Sequence, residues 1–257
     1  MSGDVNAWMH ALYDRHVRPM GQPAFLKAVR ALSVRYVERR RQLHDRSPID
    51  SAGKRAAFAG FFAPLHFVTT AAIVADLEFG QLPIETIVDL GCGTGAAGGA
   101  WAMALPTAPA LLGVDVNSWS VDETNWTWRA LGLRGRVRRG DLVKTCVRLR
   151  EPGRRSTAIV LGWAVNELDP AERDVLLPLL VELGRGGTAI LVIEPAARSV
   201  TAPWWDRWAG AFTEAQGLAR EWHFTVPLPE PLAQLDRAAG FRREELSARS
   251  LSLRGST

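Results

Sequence analysis

Short apolar runs alternate with longer amphipathic segments along most of the chain. Runs of β-branched and aliphatic residues predict strands, whereas apolar residues that recur once per helical turn predict helices. The predicted strands lie at 86–90, 110–115, 135–141, 158–161, 188–193, 220–226 and 245–253. The predicted helices between them include 96–105, 118–131, 170–183 and 231–239. Strands that alternate with helices indicate an α/β fold built on a largely parallel sheet.

The part of the chain before the first predicted strand has a purely helical pattern. Residues 4–46 are amphipathic, and Ser51 is placed to cap a second helix with a kink near Pro64. We therefore predict a helical N-terminal extension over residues 1–80 that packs over the functional site as a lid. The remaining residues, 81–257, would form the ligand-binding domain.

The segment from Ala56 to Ala75 carries no formal charge over twenty residues, which is long enough to span a bilayer. Pro64 interrupts it, and the polar side chains of His66 and Thr70 would be costly in lipid. Its alanines instead suit a helix packed inside a protein. We expect no membrane partner.

The composition of the 257 residues, 47% hydrophobic and 23% charged, is ordinary for a globular protein. Only two cysteines are present, Cys92 and Cys146, which excludes a disulfide framework and a cysteine-rich metal site. We expect no metal and a cytoplasmic location, and the start of the chain around Asp4 does not resemble a signal peptide.

The net charge of +4 suggests an anionic partner such as RNA. Basic runs are more often solvated helix faces, and abundant arginine also follows from genomic base composition, so both interpretations stay open. The arginines that would contact phosphate are Arg39, Arg40, Arg41, Arg138, Arg139, Arg154 and Arg155.

A glycine turn follows the first predicted strand and organises the rest of the chain. Gly91, Gly93 and Gly95 stand where the backbone must turn sharply before a helix begins at Ala96. Such a turn presents backbone N–H groups and a helix N-terminus to a ligand. The pattern favours a nucleotide-like ligand over a glycine-rich turn that binds nothing.

Asp89 separates the two nucleotide-like ligands that fit this turn. Gly91-x-Gly93-x-x-Ala96 also matches a dinucleotide fingerprint, but a carboxylate at Asp89 would repel a pyrophosphate. It suits instead the ammonium and sulfonium of S-adenosylmethionine (SAM). Asp115 ends the second predicted strand, where an acid reaches ribose hydroxyls in a doubly wound sheet.

The stretch Val88–Gly95 closely resembles the first motif of the class I SAM-dependent methyltransferases. The resemblance implies a doubly wound, mostly parallel, seven-stranded Rossmann-like sheet, SAM as the cofactor and S-adenosylhomocysteine (SAH) as its product. It also implies that Asp141, after the third predicted strand, meets the adenine amino group. The implied cofactor residues are Asp89, Gly91, Cys92, Gly93, Gly95, Asp115, Val116, Asp141, Leu142 and Trp163.

The residues after the fourth predicted strand occupy the place where this class has its active site. Asn166 is a candidate to orient an amine or a hydroxyl and Glu167 to accept its proton, although both could simply cap the next helix. Glu194 is a second candidate on the same rim. Trp204 and Trp205 would either clamp a flat acceptor or anchor a surface helix.

A closer resemblance links the chain to methyltransferase-like proteins of the small ribosomal subunit of mitochondria and bacteria. The similar segments are 31–36, 58–74, 165–168, 192–195 and 222–224. The resemblance implies ribosomal RNA as the acceptor. Trp222-His223-Phe224 lacks the cysteines that bind an iron–sulfur cluster in that family, so His223 is expected to be a packed or hydrogen-bonded histidine. A small-molecule or peptide methyltransferase and a non-catalytic, SAM-binding assembly factor remain as alternatives.

Overall fold

A single seven-stranded sheet forms the centre of the protein. The structure is a computed structural model that describes residues 3–38, 49, 51–149, 156–196 and 198–255. The strands are β1 Thr86–Leu90, β2 Ala110–Asp115, β3 Gly135–Arg139, β4 Thr157–Gly162, β5 Ala189–Glu194, β6 Leu218–Phe224 and β7 Leu246–Leu253.

The strand order is β3-β2-β1-β4-β5-β7-β6. Strands β1 to β5 are parallel, and β7 runs antiparallel between β5 and β6. Val88 of β1 pairs with Leu112 on one side and Ile159 on the other. The chain therefore reverses its direction of travel across the sheet between β1 and β4, where open α/β sheets bind ligands. The predicted doubly wound, mostly parallel sheet is confirmed.

Helices cover both faces of the sheet. They are α1 Gly3–Leu12, α2 Gln22–Glu38, α3 Ala52–Ala57, α4 Ala63–Asp76, α5 Ala96–Ala104, α6 Ser118–Ala130, α7 Leu142–Arg148, α8 Pro170–Arg185, α9 Arg198–Glu214 and α10 Leu232–Ala239. Ile87 packs with Trp101 of α5 and Trp128 of α6, whereas Val88 and Leu90 pack on the face covered by α7, α8 and α9. This alternation is what a two-residue strand period requires when both faces are buried.

The N-terminal helices build a further core of their own against α10. Trp8, Phe25 and Phe61 are fully buried there and belong to one cluster with Leu232 and Leu235. Their burial shows that the N-terminal region is packed onto the sheet domain. The proposed division at residue 80 into two domains stays a prediction.

The uncharged N-terminal segment is a buried helix. Ala52–Asp76 is long and apolar enough to cross a membrane, yet 78% of its apolar window is buried inside the protein. Near Pro64, where a kink was expected, the helix contains a π turn at Phe58–Phe62, which ends two residues before the proline. Proline lacks an N–H, so the helix adjusts its hydrogen bonds just ahead of it.

Three sequence-based expectations need correction or lie outside the described residues. The N-terminal helical segment is divided at Arg18–Gly21. The region that follows Pro195 forms α9 for most of its length. The arginines that lie outside the described residues are Arg39, Arg40, Arg41, Arg154 and Arg155.

Candidate functional site

The glycine turn connects the end of β1 to the start of α5 through left-handed backbone. Gly91, Gly93 and Gly95 have φ of 71°, 55° and 77°. The N–H of Gly91 donates to the carbonyl of Val114 at 2.8 Å, which ties the turn to the end of β2. A Cβ on Gly95 would stand 2.6 Å from Nε1 of Trp128, so this position requires glycine for its conformation and for space.

Asp89 is a buried carboxylate with one unused oxygen. Its side chain is 1% exposed, and Oδ2 accepts the N–H of Gly98 at 3.0 Å. Oδ1 is shielded from solvent and accepts no hydrogen bond among the described residues. Burial raises the pKa of Asp89 to about 7, although the Gly98 hydrogen bond opposes the rise and the charge of Asp115 adds to it. A buried acceptor of this kind fits a ligand that brings a cationic N–H donor.

Asp115 joins the glycine turn to the start of α6. Its Oδ2 accepts the N–H of Gly93 at 2.9 Å and its Oδ1 accepts the N–H of Asn117 at 2.8 Å. Burial raises the pKa of Asp115, and these two hydrogen bonds oppose the rise. Each carboxylate oxygen has a further lone pair available, so the side chain can still accept hydrogen bonds from a ligand.

A cavity of about 500 Å³ opens at the carboxyl edge of the sheet, over the reversal point between β1 and β4. This volume is typical of small-molecule sites, which span roughly 300–1,000 Å³. Most predicted cofactor residues line it: Asp89, Gly91, Cys92, Gly93, Asp115, Val116, Asp141, Leu142 and Trp163. Gly95 instead serves the packing of the turn on Trp128. Burial raises the pKa of the Cys92 thiol well above its ordinary range, which keeps that wall of the cavity neutral.

Asp141 has a structural role beside its place on the cavity wall. Its Oδ1 accepts the N–H of Lys144 at 2.8 Å and so caps the N-terminus of α7. Leu142 follows it on the same wall. The start of α7 thus places one polar and one apolar side chain in the part of the cavity wall next to β2 and β3.

The N-terminal helices supply an aromatic wall that the site prediction missed. Phe58, Phe62 and His66 line the cavity together with Ile49. The imidazole of His66 stacks on the indole of Trp163, with ring centroids 3.7 Å apart. No local pattern marks these residues as site residues. The one available signal was a histidine within an otherwise uncharged helix.

Asn166 lines the cavity and Glu194 lies behind it. Glu194 is fully buried, and its Oε1 accepts the N–H of Val165 at 2.8 Å and that of Asn166 at 3.2 Å. The Asn166 carboxamide donates from Nδ2 to Oε2 of the same carboxylate. Glu167 also lines the cavity and is exposed. Glu194 therefore positions Asn166 instead of facing an acceptor directly, contrary to its expected place on the rim.

Trp204 and Trp205 do not line the cavity among the described residues, and the expected aromatic clamp is corrected. Both side chains are buried, at 8% and 6% exposure, in the core between α8, α9 and the sheet. Trp204 packs edge-on against Trp208, with ring centroids 5.1 Å apart. Their burial on an amphipathic helix explains the pair: the indoles anchor α9 and belong to the packing of the fold.

His223 lies on β6 and is hydrogen-bonded at the surface. Its Nδ1 is 2.6 Å from Oε1 of Glu245, and its Nε2 is 3.4 Å from Oε1 of Glu221. These two contacts raise the pKa of His223. Within the described part of the chain, no three histidine, cysteine, aspartate or glutamate side chains are grouped to hold a metal ion.

No protein-family model and no curated protein sequence matches the chain. Among similar solved structures, plantazolicin methyltransferase BpumL in complex with SAH is 12% identical, with a TM-score of 0.49 over 90% of this chain and 96% of that one. The O-methyltransferase TomG of Streptomyces achromogenes, involved in tomaymycin synthesis and in complex with SAM, is 14% identical, with a TM-score of 0.47 over 90% and 88%. PH1948 of Pyrococcus horikoshii, a proposed RNA methyltransferase, is 13% identical, with a TM-score of 0.44 over 85% and 97%. Likenesses at these values assign neither activity nor substrate, so we assign function from the site's own residues.

Proposed function

We propose that this chain is a class I SAM-dependent methyltransferase that transfers a methyl group to a nitrogen or oxygen acceptor. The observation that carries the proposal is Asp89: a buried carboxylate, with an oxygen that no described residue satisfies, beside a left-handed glycine turn. A pyrophosphate would be repelled at this point, whereas the ammonium and sulfonium of SAM would be attracted.

The other wall residues fit the rest of the cofactor. Asp115 has lone pairs left to accept hydrogen bonds from the hydroxyls of a ribose. Asp141 follows the neighbouring strand β3, where the adenine would lie. Val116 and Leu142 provide apolar surface for the base. When bound, SAM supplies a methyl group already activated on its sulfonium. SAM thus fits a cavity lined by these residues.

The chain's own contribution to the reaction is chiefly alignment. A methyl group on a sulfonium needs no further activation, so the protein must hold the acceptor in line and exclude water. Asn166 and Glu167 are the polar residues of the cavity wall beyond β4, and the aromatic side chains of Phe58 and His66 cover the cavity from the N-terminal side. We propose Asn166 to orient the acceptor and Glu167 to take its proton.

The first acceptor to test is small-subunit ribosomal RNA, which the closer resemblance implies. Arg138 and Arg139 lie on the edge strand β3, next to the adenosine end of the cavity. They are the described members of the predicted phosphate-binding set. A small molecule or a peptide is the alternative acceptor, supported by the aromatic wall over the cavity. We also propose a cytoplasmic location, since both cysteines are buried and unbridged.

Calorimetry with SAH tests the cofactor assignment. We expect the wild-type chain to bind SAH, and Asp115→Ala to weaken binding roughly ten- to a hundredfold, because hydrogen bonds to a charged group are lost. Asp122→Ala is the control, because Asp122 is an exposed acid of α6 that does not line the cavity. Binding of NAD without binding of SAH would refute the assignment.

Transfer of a labelled methyl group tests the activity. Purified protein is incubated with methyl-labelled SAM and a lysate split into RNA, protein and small-molecule fractions. Label in one fraction identifies the acceptor class. Bound SAH with no label in any fraction would favour the non-catalytic assembly factor. If RNA is labelled, the logarithm of the protein's affinity for RNA should fall linearly with the logarithm of the salt concentration. Fragments of ribosomal RNA should bind the protein more tightly than random RNA.

A further inference from the structure

The contact between Glu194 and Asn166 fixes which atom of the asparagine faces away from the acid. An ionised carboxylate only accepts hydrogen bonds, so the carboxamide must turn its NH₂ group toward Glu194. The hydrogen bond from Nδ2 to Oε2 has this orientation. A flipped carboxamide would place its oxygen against a buried carboxylate oxygen and lose the hydrogen bond. Glu194 therefore determines that Oδ1 of Asn166 points away from it.

That oxygen has no hydrogen-bond donor within the described part of the chain. Oδ1 of Asn166 is shielded from solvent and accepts no hydrogen bond there. Asn166 belongs to the cavity wall, next to the end of β4. A buried acceptor without a donor is costly, and such groups are rare in folded proteins. Here the cost is removed when a molecule that enters the cavity uncovers Oδ1 and brings a donor.

We propose that Oδ1 of Asn166 accepts a hydrogen bond from the methyl acceptor, and that the acceptor atom is a nitrogen bearing at least one N–H. This inference rests on the methyltransferase function proposed above. The acceptor is then an amine or a nucleobase amino group. The neutral acceptor nitrogen keeps a lone pair in addition to the N–H bond that Asn166 holds. That lone pair forms the new N–C bond while the S–C bond breaks and its electrons remain on sulfur, and the proton then leaves the nitrogen for the carboxylate of Glu167, which also lines the cavity.

The charges around the site favour nitrogen over oxygen. Positive charge develops on an amine as it is methylated, whereas a hydroxyl must first lose a proton and become negative. Glu194 is fully buried directly behind Asn166, and Asp89 is a second buried carboxylate of the cavity. Both stabilise a developing positive charge and oppose a negative one.

Exchanging the acid and the amide provides a matched set of variants. In Glu194→Gln, the new carboxamide can keep its oxygen on the N–H groups of Val165 and Asn166 and turn its NH₂ toward the Asn166 side chain, which must then flip. The flipped side chain would present a donor to the acceptor. In Asn166→Asp, two carboxylates face each other. In the double variant, the amide introduced at position 194 donates to the carboxylate introduced at position 166, which leaves one carboxylate oxygen for the acceptor.

The experiment measures methyl transfer to the labelled fraction, SAH affinity by calorimetry, and the chemical linkage of the transferred methyl group. We expect an N-methyl product in whichever fraction takes up the label. Both single variants should lower kcat roughly ten- to a hundredfold, while SAH affinity stays within about threefold of wild type. The kcat of the double variant should be at least about tenfold higher than that of Glu194→Gln. A merely structural role of Glu194 would not produce this recovery.

Each contrary outcome has a distinct meaning. An O-methyl product, detected by its linkage, overturns the nitrogen acceptor and leaves the methyltransferase function intact. An equal loss of SAH affinity and of rate in Asn166→Ala overturns the proposal, because the oxygen would then serve the cofactor. Wild-type rates in Glu194→Gln overturn the positioning role. No transfer to any fraction, with or without SAH binding, overturns both this inference and the proposed activity.

Discussion

The imidazole of His66 lies flat on the indole of Trp163, with 3.7 Å between ring centroids and 6° between ring planes. His66 belongs to the N-terminal helix α4, and Trp163 directly follows β4. Trp163 also has a φ of 58°, a left-handed conformation that is rare for a bulky residue. Strained residues persist where surrounding contacts hold them, often at functional sites. The stack thus links the N-terminal extension to the end of β4 across the cavity.

Removing this stack should loosen the cover of the cofactor cavity. We expect His66→Ala to weaken SAH binding about two- to tenfold, since an aromatic pair is worth about 0.5–1.5 kcal/mol. Calorimetry with SAH measures the effect. His66→Phe keeps a ring for Trp163 and should bind SAH nearly as well as wild type. His10→Ala, an exposed histidine of α1, controls for the loss of an imidazole. Equal losses in the alanine and phenylalanine variants would show that stacking is not the contact that matters.

Gly95 should be the least replaceable residue of the glycine turn. Gly95→Ala imposes a left-handed alanine and brings its Cβ to 2.6 Å from Trp128 Nε1. Gly132 has a similar φ of 69°, and a Cβ added there would meet no heavy atom within 4 Å, so Gly132→Ala isolates the conformational cost. We expect about 1–2 kcal/mol for Gly132→Ala and about 1–3 kcal/mol more for Gly95→Ala in denaturant unfolding. Equal costs would contradict the crowding at Trp128.

The sheet and the cavity wall at the ends of β1 and β2 could be predicted because their signals are local. Ile87 to Leu90 form a short apolar run, the glycines follow at once, and Asp115 ends the next strand. Each signal lies within one strand and one turn. Parallel strands bring their carboxyl ends to one edge, so these acids line the cavity at that edge.

The cavity wall beyond β4 and under α4 could not be predicted because it depends on tertiary packing. His66 reaches the cavity only through the docking of α4, and nothing near it in sequence indicates Trp163 as its partner. Glu194 was expected to face an acceptor, but its burial behind Asn166 follows from the pairing of β4 with β5. For Trp204 the sequence left two interpretations open, and its burial in the core agrees with the helix anchor. Its spacing with Trp208 and Phe212 already fits one buried helix face.

A buried ion-pair cluster should stabilise the docking of the N-terminal region on α6. Glu123 is 1% exposed, and its carboxylate accepts hydrogen bonds from Arg15 and lies 2.7 Å from Nε2 of His16. We expect Glu123→Gln to lower the free energy of unfolding by about 1–3 kcal/mol, as measured in denaturant. The expected loss is less than the roughly 3–5 kcal/mol of a fully buried pair, because Arg15 is 42% exposed. Asp14→Asn, which breaks an exposed pair with Arg18, should cost at most about 0.5 kcal/mol.

The contribution of Glu123 should also depend on pH. Burial alone would raise the pKa of Glu123, but the contacts with His16 and Arg15 outweigh it and hold the pKa below the ordinary 4.5. A carboxyl with a lowered folded-state pKa contributes stability that is complete above its unfolded value and is lost as the pH falls through the folded value. The stability difference between wild type and Glu123→Gln should therefore shrink as the pH falls below about 4.5. A difference that does not change on acidification would contradict the assignment.

Asp89 should show opposite effects on stability and on binding. Because burial raises its folded-state pKa from 3.8 to about 7, the folded protein holds a proton there that the unfolded chain releases. The free energy of unfolding due to this group therefore falls as pH rises from about 4 to about 7 and is level above that range. The stability cost of the ionised group is thus complete at pH 8, where the carboxylate is also ready to meet a cation.

Asp89→Asn separates the two effects, since it removes the ionisation and keeps an oxygen for the Gly98 N–H. Each pKa unit is worth about 1.4 kcal/mol, so the ligand-free variant should be more stable than wild type at pH 8 by a few kcal/mol, and the gain should vanish near pH 4. The same variant should bind SAH at least about tenfold more weakly, because a carboxylate no longer meets the ammonium. Denaturant unfolding at several pH values and calorimetry at pH 8 measure the two effects, with Asp122→Asn as the exposed control. If Asp89→Asn binds SAH as tightly as wild type does, Asp89 does not contact the cofactor. If the stability of wild type and of the variant changes in the same way with pH, Asp89 is not a buried group that ionises in this range.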